Sequence, residues 1–126
     1  MNVVNDEELK KKYNKLYKKF AKGNFSEVIK ECNKELKKRK HQLLFNLLSY
    51  AYQKSGKIEK SIDVMKEALA LNPNHPNFLN NIGTCFYMLH KYSKAEKFFK
   101  KGLEIDEKHL HILNNLGNLK RQTYKI

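Results

Sequence analysis

Tryptophan is absent from the sequence, cysteine and proline occur twice each, and glycine occurs five times in 126 residues. So few turn-formers exclude a fold of many short strands joined by tight turns. Cys32 and Cys85 stand alone, without CxxC spacing, which excludes a disulfide framework and a zinc knuckle. Both fall in helical, partly apolar stretches, as buried reduced thiols do. No run approaches about 18 apolar residues, and the polar start from Met1 to Leu9 lacks the basic-then-apolar order of an export leader. Neither a membrane span nor a signal peptide is expected, and the cysteine usage points to a cytoplasmic setting.

Acidic residues are the other scarcity, with 13 Asp and Glu against 26 Lys and Arg, a formal charge of +13. That excess brings anionic partners into consideration without naming one. Hydrophobic residues at 40% and charged residues at 31% describe a folded chain rather than a disordered tail. The length suits one domain or a few stacked repeats, burying about two-thirds of the unfolded surface.

The sequence is self-similar at a step of 34 residues: Phe45, Leu79 and Leu113 correspond, as do Leu48, Ile82 and Leu116, and Ile58, Tyr92 and Ile126. Tyr52 and Phe86, Met65 and Phe99, and Leu69 and Leu103 keep the register. A weaker copy lies 33 residues upstream, where Phe25, Cys32, Leu36 and Gly23 match Ile58, Met65, Leu69 and Gly56. Helical spacing within each copy, as in Leu9, Tyr13, Leu16, Tyr17 and Phe20, predicts two amphipathic helices per unit. Gly23, Gly56 and His90 fall where the first helix of a pair should end. Ser93 with Glu96 has the form of a capping box, and Pro73 and Pro76 should break the chain between units.

The stretches Phe45-x-x-Leu48-Ser49-x-x-Tyr52, Ser61-x-x-x-Met65-x-x-Ala68 with Pro73, and Leu79-x-x-Ile82-Gly83-x-x-Phe86 with Ala95-x-x-x-Phe99 resemble the tetratricopeptide repeat. The resemblance implies an all-α fold, a right-handed α-solenoid of stacked antiparallel helix pairs. It divides the chain into a tail over 1–8, a degenerate capping pair over 9–41, and full pairs over 42–75 and 76–109. Residues 110–126 then form either the first helix of a further pair or a closing helix. Lys15 and Lys19 occupy upstream positions that the family usually makes apolar.

No Gly-rich phosphate loop, nucleophile elbow or HExxH motif occurs, so no catalysis and no cofactor are expected. His109 and His111, two apart on a helix, point to different faces, so no metal site is expected there; His41, His75 and His90 suit helix ends. Asn46, Asn80 and Asn114 recur once per unit, and the resemblance places them on helices that line a concave groove. Their carboxamides can hold the backbone of an extended peptide, with Asn81, Asn115 and Asn118 widening the strip and Tyr50 and Tyr87 adding flat contact area. The alternative is that these Asn residues cap or bridge neighbouring helices. In relatives that clamp chaperone tails, the clamp positions correspond to Asn46, Tyr50, Asn81, His111 and Asn115; only Asn81 agrees, and every clamp Lys and Arg is missing.

Residues 10–40 hold 13 of the 26 Lys and Arg against three Glu. Lys11, Lys15, Lys18 and Lys22 follow one face of the first helix, and Lys37, Lys38, Arg39 and Lys40 close the second. The expected function is a noncatalytic scaffold holding a peptide or partner protein in the groove. Two alternatives stand beside it: the N-terminal segment of a larger glycosyl- or sulfotransferase, and binding of nucleic acid or an anionic surface through the basic patch. An apolar end face of Leu110, Leu113, Leu116 and Ile126 suggests self-association.

Overall fold

The computed structural model describes residues 4–124, and among them are seven α-helices and no strand. In chain order these are α1 (Val4–Ala21), α2 (Phe25–Lys38), α3 (Gln42–Lys54), α4 (Ile58–Leu71), α5 (Pro76–Met88), α6 (Tyr92–Ile105) and α7 (Leu110–Thr123). The described chain forms two compact units that part between Lys57 and Ile58, the first holding α1–α3 and the second α4–α7.

The turns after α1, α3 and α5 have the same chemistry. Gly23, Gly56 and His90 have φ of 87°, 80° and 61°, the left-handed conformation. The next residue's N–H then reaches back to the helix: Asn24 to the Lys19 carbonyl at 3.0 Å, Lys57 to Tyr52 at 2.8 Å, Lys91 to Phe86 at 2.8 Å. This Schellman closure satisfies carbonyls the helix end would leave open.

The starts of first helices also repeat. His41, His75 and His109, spaced 34 residues apart, are the N-caps of α3, α5 and α7. In each, Nδ1 accepts a backbone N–H: from Leu43 at 3.1 Å, Phe78 at 3.4 Å and Ile112 at 3.3 Å. Pro76 opens α5, where its missing N–H costs nothing.

Three sequence expectations need correction. The first helix opens at Val4, so the chain expected as a tail is helical from there; Glu7 and Glu8 near its start suit the positive helix end. The Ser93–Glu96 capping box does not form, because the turn closed by Lys91 leads directly into α6, whose N-cap Lys91 makes no side-chain cap bond. Glu96 pairs with Lys100 at 2.9 Å instead. Finally, Leu116 is buried and does not belong to an exposed end face, although Leu110 and Leu113 are exposed; Ile126 lies outside the described residues.

In the first unit the buried side chains include Leu9 and Leu16 of α1, Val28, Cys32 and Leu36 of α2, and Leu44, Phe45, Leu47, Leu48, Ala51 and Tyr52 of α3. In the second, α5 packs against α4, α6 and α7, which is why eight of its 13 residues are buried, Asn80 and Asn81 among them. Gly83 lets α6 approach closely, with the Phe99 ring over it. Full burial of a side chain such as Phe99 or Leu79 stabilises by about 2–3 kcal/mol. This packing fixes the faces of α5 and α7 on which the candidate site is built.

Candidate functional site

Asn115 of α7 donates from Nδ2 to Asn80 Oδ1 of α5 at 2.8 Å and to Thr84 Oγ1 at 3.4 Å. The Thr84 hydroxyl donates in turn to the Asn80 carbonyl at 2.9 Å. Asn80 is only 8% exposed and Asn81 only 2%. Both therefore leave the set that a ligand can touch, and Asn80 bridges helices, the alternative left open by the sequence. A buried carboxamide must find partners, and the α5–α7 crossing supplies them.

Above this bridge Thr84, Tyr87, Asn115 and Asn118 surround a small recess of about 40 Å³ floored by Phe99. Tyr87 is half-buried, its ring 5.5 Å from that of Tyr92. Asn118 is exposed and accepts from the Arg121 guanidinium, which leaves its own N–H₂ directed by that contact. Asn114 is exposed on the same helix. The structure thus gathers Tyr87, Asn115 and Asn118 of the expected strip. It adds Thr84 and Phe99, which the periodic reading missed; Thr84 lies four residues after Asn80, a spacing that shares a helix face.

In the first unit, Asn46 is half-buried and Tyr50 exposed, both on α3. Burial pushes the Tyr13 hydroxyl up in pKa, and the neighbouring Tyr17, Tyr50 and Cys32 add to the shift, so the three tyrosines share one region. Tyr17, whose helical spacing with Tyr13 and Phe20 puts it on the apolar stripe of α1, is nevertheless 50% exposed, with its ring 6.1 Å from Tyr13 and 6.0 Å from Phe20. The tyrosine keeps one edge on its neighbours and leaves its polar end in water.

Lys11, Lys15 and Lys18 are exposed on α1, Lys22 in the turn just after it, Lys37 and Lys38 at the end of α2, and Lys40 beyond that end. Arg39 is half-buried and closes α2, its N–H donating to the Glu35 carbonyl at 3.0 Å. Several lysines here are engaged: Lys12 with Glu35 at 3.1 Å, Lys38 with the same carboxylate at 3.7 Å, and Lys19 with Glu27 at 2.7 Å. The last pair is exposed, and its hydrogen bond raises the Lys19 pKa and lowers that of Glu27.

His109 uses both ring nitrogens, Nδ1 as the cap acceptor and Nε2 against Asn77 Oδ1 at 2.7 Å, which fits a neutral ring protonated at Nε2. Among the described residues no group of His, Cys, Asp and Glu is arranged to hold a metal ion, and no helix is long and apolar enough to cross a membrane.

Paired helices with left-handed closures, recurring at this period, define the class of helix-pair repeat proteins. A family model described as the tetratricopeptide repeat matches residues 41–108, and the chain belongs to that family. The first TPR domain of human RPAP3 is similar in structure, at 21% identity with a TM-score of 0.81, covering 88% of each chain. The Sgt2 TPR domain from Aspergillus fumigatus is similar at 19% identity with a TM-score of 0.82, covering 92% of this chain and 79% of that one. The first TPR of Spaghetti (RPAP3), solved bound to the HSP90 peptide SRMEEVD, is similar at 22% identity with a TM-score of 0.79, covering 87% of this chain and 88% of that one. No curated protein matches the sequence.

Proposed function

We propose that this chain is a noncatalytic interaction module and that the α5–α7 face holds an extended segment of a partner protein. The observation that carries this is the recess among Thr84, Tyr87, Asn115 and Asn118, where hydroxyl, phenol and carboxamide groups surround an apolar floor. Asn114 and Asn118 offer donors and acceptors to a peptide backbone, Tyr87 offers flat contact area, and the recess takes a small side chain. The Asn80–Asn115–Thr84 bridge keeps the face formed before binding, so little ordering opposes association.

A fold relative solved with a bound peptide supports a peptide as ligand class. The clamp positions, held here by Asn46, Tyr50, Asn81, His111 and Asn115, contain neither Lys nor Arg, so the preferred peptide is not one selected by a terminal carboxylate pair. Cytoplasmic residence belongs to the same proposal and rests on two buried cysteines that form no disulfide among the described residues.

The test is selection of binding peptides from a displayed random library, followed by affinity measurement against the wild type and against Tyr87→Ala combined with Asn118→Ala. Recovered peptides should bind the variant about tenfold more weakly while its far-UV CD is unchanged. Peptides that bind both forms equally would place the ligand elsewhere and remove the proposal.

A further inference from the structure

The groove between α1 and α2 lies in the other compact unit and owes nothing to the recess. It has a volume of about 260 Å³ and is lined by Lys12, Lys15, Leu16 and Lys19 of α1 and by Glu31, Lys34, Glu35 and Lys38 of α2. At the 33-residue step, Lys12, Lys15 and Lys19 correspond to Phe45, Leu48 and Tyr52, all buried. The chain has replaced three core positions of a repeat by lysines. Lys12 and Lys38 face Glu35 and Lys19 faces Glu27, while among the described residues Lys15 and Lys34 make no ion pair.

Glu35 lies at the centre of these contacts, held by lysines from both helices. It is 5% exposed, and while Oε2 meets Lys12 and Lys38, its buried Oε1 has no hydrogen-bond partner among the described residues. A buried carboxylate oxygen without a donor is costly, and a ligand that brings an N–H to it recovers that cost.

We infer that this groove binds an acidic peptide segment, with its side-chain carboxylates on Lys15 and Lys34 and a backbone N–H on Glu35 Oε1. The five lysines exceed the two glutamates, so the groove attracts negative charge. The carboxylates select among anions: a peptide carries a donor at every residue, whereas a phosphodiester backbone carries continuous charge and no N–H to offer Glu35. Among the described residues Leu16 is the one apolar lining residue, and no aromatic ring lines the groove to stack on a base.

The test uses the full chain at low salt with a short, fluorescein-labelled polyglutamate peptide, read by fluorescence anisotropy. Lys15→Gln combined with Lys34→Gln should weaken binding about tenfold, whereas Lys97→Gln combined with Lys101→Gln, which removes equal charge from exposed sites on α6, should not. On addition of peptide, amide NMR shifts should move around Lys15, Lys34 and Glu35, and this stands as evidence even where a variant folds poorly. The same peptide with a methylated backbone should bind more weakly. Equal losses in both lysine variants, no binding of the peptide, undiminished binding of the methylated form, or tighter lysine-dependent binding of an oligouridylate of equal charge would each overturn the inference.

Discussion

Three helical glycines in the second unit allow the packing argument to be tested by one chemical change, Gly→Ala. Relative to glycine, alanine favours a helix by about 1 kcal/mol wherever it fits. At Gly83 an added Cβ would stand 2.6 Å and 2.7 Å from two ring carbons of Phe99, against the roughly 3.5–4.0 Å of a normal carbon contact. The Phe99 ring is rigid and 1% exposed, so it must retreat by about 1 Å into dense packing, at a cost near the upper end of the roughly 1–3 kcal/mol range for overpacked cores. After the helix gain, Gly83→Ala should destabilise by about 2 kcal/mol, or roughly 8 °C in Tm.

Gly102 meets an equally short contact, 2.5 Å, but with the terminal Cδ1 of Ile112, which turns about its last torsion; Gly102→Ala should come out near neutral. Gly117 has nothing within 4 Å, so Gly117→Ala should stabilise by about 1 kcal/mol. All three sites lie in the same compact unit, so urea unfolding followed by far-UV CD ranks them on one transition. Adding Phe99→Leu to Gly83→Ala should recover part of the loss, and a double-mutant cycle should give a coupling of at least about 1 kcal/mol. If Gly83→Ala proves as stable as Gly117→Ala, the close approach of Phe99 does not constrain this fold and the reasoning fails.

Other consequences follow from caps and buried groups. Burial lowers the His75 pKa below its ordinary 6.5, with a backbone hydrogen bond partly opposing, so folding favours the neutral cap. That contribution is fully present above 6.5 and is lost as pH falls through the lower folded value; His75→Asn, a cap that does not titrate, should show a flatter stability profile across this window. His90 holds a left-handed conformation that disfavours a side chain, so His90→Gly should raise stability by up to about 1 kcal/mol in chemical denaturation, and a loss would show that its contact with Tyr92 at 2.8 Å matters more. Burial first, then Glu31 and Glu35, push the Cys32 thiol up to about 12, so iodoacetamide should label it only on unfolding; labelling of the native chain at neutral pH would contradict its placement. Burial works to raise the Glu35 pKa, but Lys12 above all, then Lys38 and Arg39, hold it below 4.5. Its ionised form therefore supports folding above 4.5, and the stability difference from Glu35→Gln should shrink as pH falls through the lower folded value.

The repeat period made the helix pairs legible because it records packing. Phe45, Leu79 and Ile82 are buried as their spacing requires, and Gly23, Gly56 and His90 adopt the left-handed turns expected of them. The site was less legible because a helix side chain's exposure depends on what the next helix contributes, which periodicity does not carry. Asn80 and Asn114 are equivalent in the repeat, yet Asn80 is buried beneath α7, and Asn114 lies on α7 itself, exposed. Tyr17 shows the same limit: core spacing placed it inside, but the ring is half exposed. Ligand chemistry is written instead in departures from the repeat. Where equivalent positions carry Phe45, Leu48 and Tyr52, packing accounts for them; where they carry Lys12, Lys15 and Lys19, it does not. A lysine in place of a core residue forfeits apolar burial of about 2 kcal/mol, so three such replacements around a buried Glu35 mark a surface that packing energetics leave unexplained.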